Sequence, residues 1–434
     1  MLNVPQFFIV KSFSKQNLWL HRFAVLTALA TLGLIGLGGL VTSKEAGMSV
    51  PDWPTSYGYN MFALPFKFWT GGVFYEHTHR LWASTVGLLV VVLARWLGGK
   101  PSRLPLGIIG LVEIAAGGFI KWRWPDLKGT GYFLTGIGGV VVLAALVWAR
   151  NEPASRTLRR LGWCAFGLVQ FQGLLGGLRV VLFKDQIGIV HAALAQLFFL
   201  LVCAIALLTS RWWNEQFKIQ NSKFKIQTLR HLFLFTAILI FLQLLLGATM
   251  RHQHAGLAIS DFPLAHGQLW PDTSADAVAH YNQQRTEISG INPITAFQIQ
   301  LQMAHRLMAV LILFAVAACA WKAQRWSSRF SVSGAADNLK VELQPRVLAR
   351  LSLVWLGLIL VQACLGAATV LWNKPADIAT AHVLVGALSL ATGAMLCIIS
   401  ARTLENSGGE TSVSPAGEKN SRNEISFAAR TSAP

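Results

Sequence analysis

Much of the chain is apolar over stretches too long and too uniform for a half-buried strand, which alternates, or for a surface helix, which keeps a polar face. Runs at Phe23 to Val41, Leu81 to Leu97, Leu194 to Leu208, Leu232 to Leu246, Leu307 to Trp321, Leu351 to Val370 and His382 to Ser400 approach or reach the roughly 20 residues that a helix needs to cross a bilayer. Weaker runs lie at Leu104 to Ile120, Tyr132 to Trp148 and Leu161 to Val181. Polar stretches with Gly and Pro separate them. The pattern predicts an all-α polytopic membrane protein of about ten spans.

The order of polar motifs between the runs repeats itself. Ala46-Gly-Met-Ser-Val-Pro-Asp-Trp-Pro54 matches Ala255-Gly-Leu-Ala-Ile-Ser-Asp-Phe-Pro263, each in the loop after an apolar run. Glu76-His-Thr-His-Arg-Leu-Trp-Ala83 then matches Gln302-Met-Ala-His-Arg-Leu-Met-Ala309, and Gln172-Gly-Leu-Leu-Gly176 matches Gln362-Ala-Cys-Leu-Gly366, followed at similar spacing by His191 and His382. Three matches in the same order predict two pseudo-symmetric four-helix transmembrane bundles, 1–210 and 231–403, joined by a cytoplasmic linker, 211–230. Residues from about 100 to 150 have no counterpart in the second half and read as an inserted helical hairpin. The tail 404–434, rich in Ser, Gly, Glu and Asn, reads as disordered.

Composition agrees with the membrane reading: 53% of the 434 residues are hydrophobic and only 13% charged, far below a soluble domain. The net charge of +18 raises the question of nucleic acid. About 25 of the 37 Lys and Arg, however, fall in every second connection, the bias that marks cytoplasmic loops. The charge therefore reports topology, with both termini cytoplasmic, and no basic stretch is interleaved with base-stacking aromatics. Basic residues precede the first run as in a signal peptide, but its length and the nine runs after it read as a retained first helix. All five cysteines, Cys164, Cys203, Cys319, Cys364 and Cys397, fall inside predicted helices, so no CxxC motif or outer-loop disulfide is offered.

Of the eleven histidines, four occupy repeat-matched positions near the outer ends of returning helices: His79 and His191, then His305 and His382. A lone membrane histidine is often a helix-to-helix hydrogen bond. Two per bundle, on different helices and in both bundles, point instead to axial ligation of a haem iron from both sides of a porphyrin. Small residues on the preceding helices, such as Gly36, Gly38, Gly176 and Gly247, leave space for a flat macrocycle or serve close helix packing. Arg80 and Arg306 follow the first histidine of each bundle, placed either for propionate pairing or for snorkelling to the interface. His77 faces elsewhere and is expected at the interface, while His252, His254, His266 and His280 are expected solvated in the second outer loop. The halves differ one turn before the histidine, where Glu76 stands against Gln302. An intramembrane carboxylate is functional by default, with a salt bridge to a nearby Arg as the structural alternative. Gln302 cannot act as base or nucleophile.

At these residues the chain resembles the haem A synthase family, over roughly Leu20 to Arg402 apart from the hairpin. The Ala-Gly-Met-Ser-Val-Pro-Asp-Trp-Pro loop, the Glu-His-Thr-His-Arg block and the downstream histidines carry the resemblance. It implies two four-helix bundles and the oxidation of a porphyrin methyl of haem O to a formyl group, giving haem A for terminal oxidase assembly. It places the substrate haem between His79 and His191, with Arg80 beside it and Glu76 as the catalytic carboxylate. A haem b cofactor is implied between His305 and His382, with Arg306 beside it. Implied partners are haem O and haem A, membrane lipid, a haem O synthase, oxidase assembly factors, a quinone or other electron acceptor, and a second copy of the chain in a homo-oligomer. The implied location is the bacterial inner membrane. The outer-loop cysteine pair of some bacterial members is missing here, against a thiol-dependent entry of electrons, and the hairpin departs from the usual eight-helix layout. A di-haem cytochrome b-like electron carrier also explains four histidines but leaves Glu76 against Gln302 unexplained, and a haem transporter or chaperone would hold haem without changing it.

Overall fold

The computed structural model describes residues 17–147, 151–214, 223–284, 293–332 and 339–408. The helices are α1 (Leu18–Ser43), α2 (Gly71–Gly98), α3 (Arg103–Arg123), α4 (Lys128–Val147), α5 (Arg156–Leu182), α6 (Asp185–Thr209), α7 (Arg211–Asn214), α8 (Lys223–His252), α9 (Ala275–Gln284), α10 (Ala296–Val332), α11 (Leu339–Leu371) and α12 (Ala376–Gly408). Among the described residues ten of these are long and apolar enough to cross a membrane, all but α7 and α9. The chain is a multi-pass, all-α membrane protein.

Local signals set the helix ends. Asn17 caps α1, its side chain accepting from Trp19 N and Leu20 N, and Ser155 Oγ caps α5 by accepting from Leu158 N. Gly99 stops α2 at φ +58°, a conformation that suits glycine. The second outer loop contains α9, unforeseen because it is short; its start is marked by Ser274, whose hydroxyl accepts from Ala277 N. Helix α12 runs to Gly408, past Leu404, where the composition predicts disorder. Residues up to 16 and beyond 408, with 215–222 of the linker, lie outside the described residues.

Helix α1 packs on α2, α2 on α5, α5 on α6, and α6 back on α1; likewise α8 packs on α10, α10 on α11, α11 on α12, and α12 on α8. Between the rings α1 meets α12, α8 meets α6, and α6 meets α12. Exchanging repeat-matched helices (α1 for α8, α6 for α12) maps these contacts onto one another, as an internal twofold requires. The shared seam buries Ile35 of α1, Phe199 of α6 and Ala387 and Ala391 of α12, beside a core that runs through both rings around Leu20, Val90, Ile205, Phe233 and Trp355. Arg251 on α8 ties it at the outer end, donating to Gly39 O at 2.7 Å and Ser43 Oγ at 2.6 Å on α1.

Helices α3 and α4 form a tight antiparallel hairpin on the outer side of the first ring, where Leu106 and Val141 pack with Val91 and Phe166. Their backbones touch at glycines: a Cβ on Gly110 would stand 2.6 Å from Gly138 O, and one on Gly117 2.5 Å from Gly131 O. Without a hydrophobic force between helices in lipid, such close approach supplies the association. Gln170 on α5 also donates to Glu113 on α3 at 2.6 Å. Gly117→Leu is expected to push the hairpin apart and cost about 1–3 kcal/mol or more, read as a lower thermal unfolding midpoint in detergent. Gly118→Leu, which meets open space, is expected to leave the midpoint in place; equal losses in both variants would refute the packing account.

Candidate functional site

The matched outer loops fold alike, atom for atom. Asp52 accepts from Tyr57 N at 2.6 Å and Gly58 N at 2.8 Å, and Asp261 from His266 N at 2.7 Å and Gly267 N at 2.9 Å. Each pair of donors sits at positive φ, 53° and 75° in the first loop and 51° and 75° in the second. Burial pushes both carboxyls up, but the hydrogen bonds they accept outweigh it and hold them below the usual carboxylate range.

Arg80 and Arg306 staple these loops to the helices. Arg80 Nη1 donates to Asp52 O (2.7 Å) and Thr55 O (3.0 Å), and Nη2 to Val50 O (2.9 Å). Arg306 donates to Leu264 O (2.8 Å) and Asp261 O (2.7 Å), the matched carbonyls. Glu76 Oε2 accepts from Val50 N at 2.8 Å, and Gln302 Oε1 from the matched Ile259 N at 2.7 Å. Both side chains thus anchor a loop. Only Glu76 adds a charge, and its Oε1 pairs with Arg80 Nη2 at 2.7 Å while the residue is 4% exposed.

Each of the four matched histidines lies against a glycine of the neighbouring helix. A Cβ on Gly38 would stand 3.2 Å from His79 Cε1, on Gly176 3.5 Å from His191 Cε1, on Gly247 3.4 Å from His305 Cε1, and on Gly366 3.1 Å from His382 Cε1. A Cβ at Gly38 or Gly366 would crowd the ring by a few tenths of an ångström, and one at Gly176 or Gly247 would use up the remaining van der Waals space, so the glycines let each ring lie close against the neighbouring helix. The His305 and His382 ring centroids are 6.4 Å apart, tilted by 56°. His79 and His191 are close enough to interact electrostatically with each other and with Arg179. In all four rings Nδ1 is buried without a hydrogen-bond partner. Amides hold the surroundings: Gln172 Nε2 donates to His191 O at 3.1 Å, Gln243 Nε2 to His305 O at 2.9 Å, and Gln362 Nε2 to His382 Nε2 at 3.3 Å.

All four histidines, Glu76, Gln302, Arg80 and Arg306 line one cavity of about 2000 Å³ that runs through both rings. Ligand sites commonly measure about 300–1,000 Å³, so this one has room for two large ligands. Its walls are mainly apolar, with Lys128 of α4 and the two staples among its cations, and Arg179, Arg251 and Lys374 besides. The sequence reading did not single out these three, because neither Arg179 nor Arg251 has a cation at its repeat-matched position.

The remaining histidines divide differently from expectation. His77 is fully buried under the first loop, 3.4 Å from Ser56 Oγ and edge-on to Trp69, because that loop folds over the helix end. His252 is the last residue of α8 and 9% exposed, with Nδ1 3.8 Å from Asp185 of the other half. His266 stacks on Tyr281 of α9 at 3.7 Å. His254 and His280 are exposed, as expected. The five cysteines are free, and among the described residues no group of three or more His, Cys, Asp or Glu could hold a bare metal ion.

The sequence profile of the COX15-CtaA family, described as cytochrome oxidase assembly protein, matches residues 133–393. The chain is 26% identical over 261 residues to a protein of Shouchella clausii named heme A synthase, covering 60% of this chain and 68% of the relative. It is similar to proteins of the same name from Hyphomonas neptunium, 24% identical over 82% of this chain and 91% of the relative, and from Shewanella oneidensis, 25% identical over 85% and 91%. With the profile spanning more than half of its length, the chain belongs to the COX15-CtaA family of cytochrome oxidase assembly proteins, the haem A synthase family that its motifs resemble.

Proposed function

We propose that the chain is a haem A synthase that takes haem O between His79 and His191 and oxidises a ring methyl to a formyl group, using a haem b held between His305 and His382. The observation that carries the reading is the paired imidazoles in one cavity. An imidazole nitrogen bonds a first-row metal at about 2.0–2.1 Å; adding two ring radii of about 1.1 Å, a metal clasped between two imidazoles separates their centroids by about 6.3 Å. The His305 and His382 centroids stand at 6.4 Å. A porphyrin supplies the four equatorial nitrogens, so two imidazoles complete the iron without a larger cluster. The glycine beside each ring fits a cradle built for a flat ligand. At His382 the nitrogen that would hold iron is the one to which the Gln362 amide donates at 3.3 Å, a long contact that is readily given up.

A haem b in the second ring would supply one-electron redox chemistry. In the first ring, each oxidation removes two electrons and one proton from the substrate carbon, and the water that adds there supplies the oxygen and gives up the second proton; a second round gives the gem-diol, and loss of water leaves the aldehyde. The electrons go to a quinone or other membrane acceptor. Glu76 is the group that takes a proton from water or stabilises the electron-poor carbon. Arg80 holds the carboxylate in place by a charge-assisted bond, and the folded loop restricts water. Gln302 repeats the anchoring without the charge, which assigns the reactive role to the first ring. The rings correspond to bundles 1–210 and 231–403, in a bacterial inner membrane with both termini cytoplasmic.

Co-expression with a source of haem O, followed by haem extraction and mass analysis, tests the activity. The expected pigment is one oxygen richer and two hydrogens poorer than haem O. Recovery of unaltered haem O alone, from protein that carries it, would favour an electron carrier or a haem transporter instead.

A further inference from the structure

Arg179 stands in the last turn of α5, at the outer end of the first ring, and lines the cavity. Two glycines make room for it. A Cβ on loop residue Gly47 would meet Arg179 Nη1 at 2.9 Å and Nη2 at 3.0 Å, and one on Gly188 of α6 would run into the His252 ring and then meet Arg179 Nε at 3.1 Å. Gly188 lies three residues before His191, on roughly the same face of α6, so the guanidinium sits about one turn above that imidazole.

The other arginines of the cavity are engaged. Arg80 and Arg306 donate to loop carbonyls, and Arg251 to Gly39 O and Ser43 Oγ. The Arg179 side chain has no hydrogen bond or ion pair to a protein group among the described residues; the imidazoles of His79, His191 and His252 lie within its electrostatic reach, and the nearby carboxylate of Asp185 faces His252 at 3.8 Å. A cation among imidazoles, in a largely apolar cavity, calls for an anion from the ligand. The second ring also has a cation facing the matched loop glycine, from a different place in the sequence. Gly256, the match of Gly47, faces Lys374 from the turn between α11 and α12, where a Cβ would stand 3.8 Å from Lys374 Cδ. Lys374 also lines the cavity.

We propose that Arg179 is the carboxylate anchor of the first ring, taking the propionates of the haem bound there, with Lys374 the simpler point-charge counterpart in the second ring. The inference rests on the haem reading above. A porphyrin carries both carboxylates on one edge, and a guanidinium matches a carboxylate through two parallel donors. Holding that edge fixes the rotation of the macrocycle about the iron, and with it which methyl comes within reach of Glu76. Arg179 is on this account a positioning residue.

The test is a titration of the full chain, stripped of haem, with protohaem and with protohaem dimethyl ester, followed by the optical band of bis-histidine ligation. The His305→Ala/His382→Ala background isolates the first ring. With Arg179 present, the free acid is expected to bind about tenfold to a hundredfold more tightly than the ester. Arg179→Gln is expected to bind both at the ester's affinity, and Arg179→Lys to recover part of the preference. A full preference for the acid in Arg179→Gln overturns the proposal, as does a parallel loss of acid and ester binding that Arg179→Lys does not relieve. If neither probe gives a bis-histidine band with Arg179 in place, the haem reading itself fails and takes the anchor with it.

Discussion

Glu76→Gln is expected to leave both haems bound and to reduce formation of the formyl product by about 10²–10⁴, the usual contribution of a positioned acid or base. The protein itself supplies the control for this substitution. Gln302 occupies the matched position and makes the matched bond, accepting from Ile259 N at 2.7 Å where Glu76 accepts from Val50 N at 2.8 Å. A glutamine at 76 can therefore keep the loop in place, and Arg80 keeps its bonds to Val50 O, Asp52 O and Thr55 O. What disappears is the negative charge beside the first ring. Extracted haems should contain the substrate, or an alcohol formed by one oxidation, in place of the aldehyde. If Glu76→Gln makes the aldehyde at the unsubstituted rate, the carboxylate is a loop anchor and nothing more.

His305→Ala and His382→Ala are expected each to abolish the low-spin haem b spectrum of the second ring and to halve the haem recovered per chain. Each removes one of two axial ligands and leaves a methyl-sized side chain against a cradle shaped by Gly247 or Gly366. The first ring does not depend on these residues, so His79 and His191 should still ligate haem. Product should nevertheless fall to background, because the substrate oxidation needs the second ring to carry its electrons away. Persistence of the haem b spectrum in either variant would refute the ligand pair.

The spans, the duplication and the histidine quartet could all be read along the chain because each has a one-dimensional signature. Apolar length marks a span, and His-Arg-Leu recurs at His79 and His305 in the same order among other matches. What could not be read depends on which helix faces which. Gly38 and His79 lie on different helices and 41 positions apart, and only the packing of α1 on α2 joins them. Arg80 and Arg306 were expected near propionates or at the interface, but the loops fold back to take their donors. His77 and His252 are buried for the same kind of reason, under a loop and against the opposite half. Arg179 and Lys374 escape a repeat search because one ends a helix and the other sits in a turn, although both face matched loop glycines. The hairpin α3–α4 falls in the stretch from about 100 to 150 that has no counterpart in the second half of the sequence, and its glycine contacts explain its cohesion.

The account depends above all on imidazole pairs that hold porphyrin iron inside the membrane. Electron paramagnetic resonance of the purified full chain in membranes, with haem quantified per chain, tests this most directly. The prediction is two low-spin ferric signals of bis-histidine type at about two haems per chain, one lost with His305→Ala or His382→Ala and the other with His79→Ala or His191→Ala. A folded, purified chain that shows only high-spin or substoichiometric haem, unchanged by all four substitutions, would contradict it.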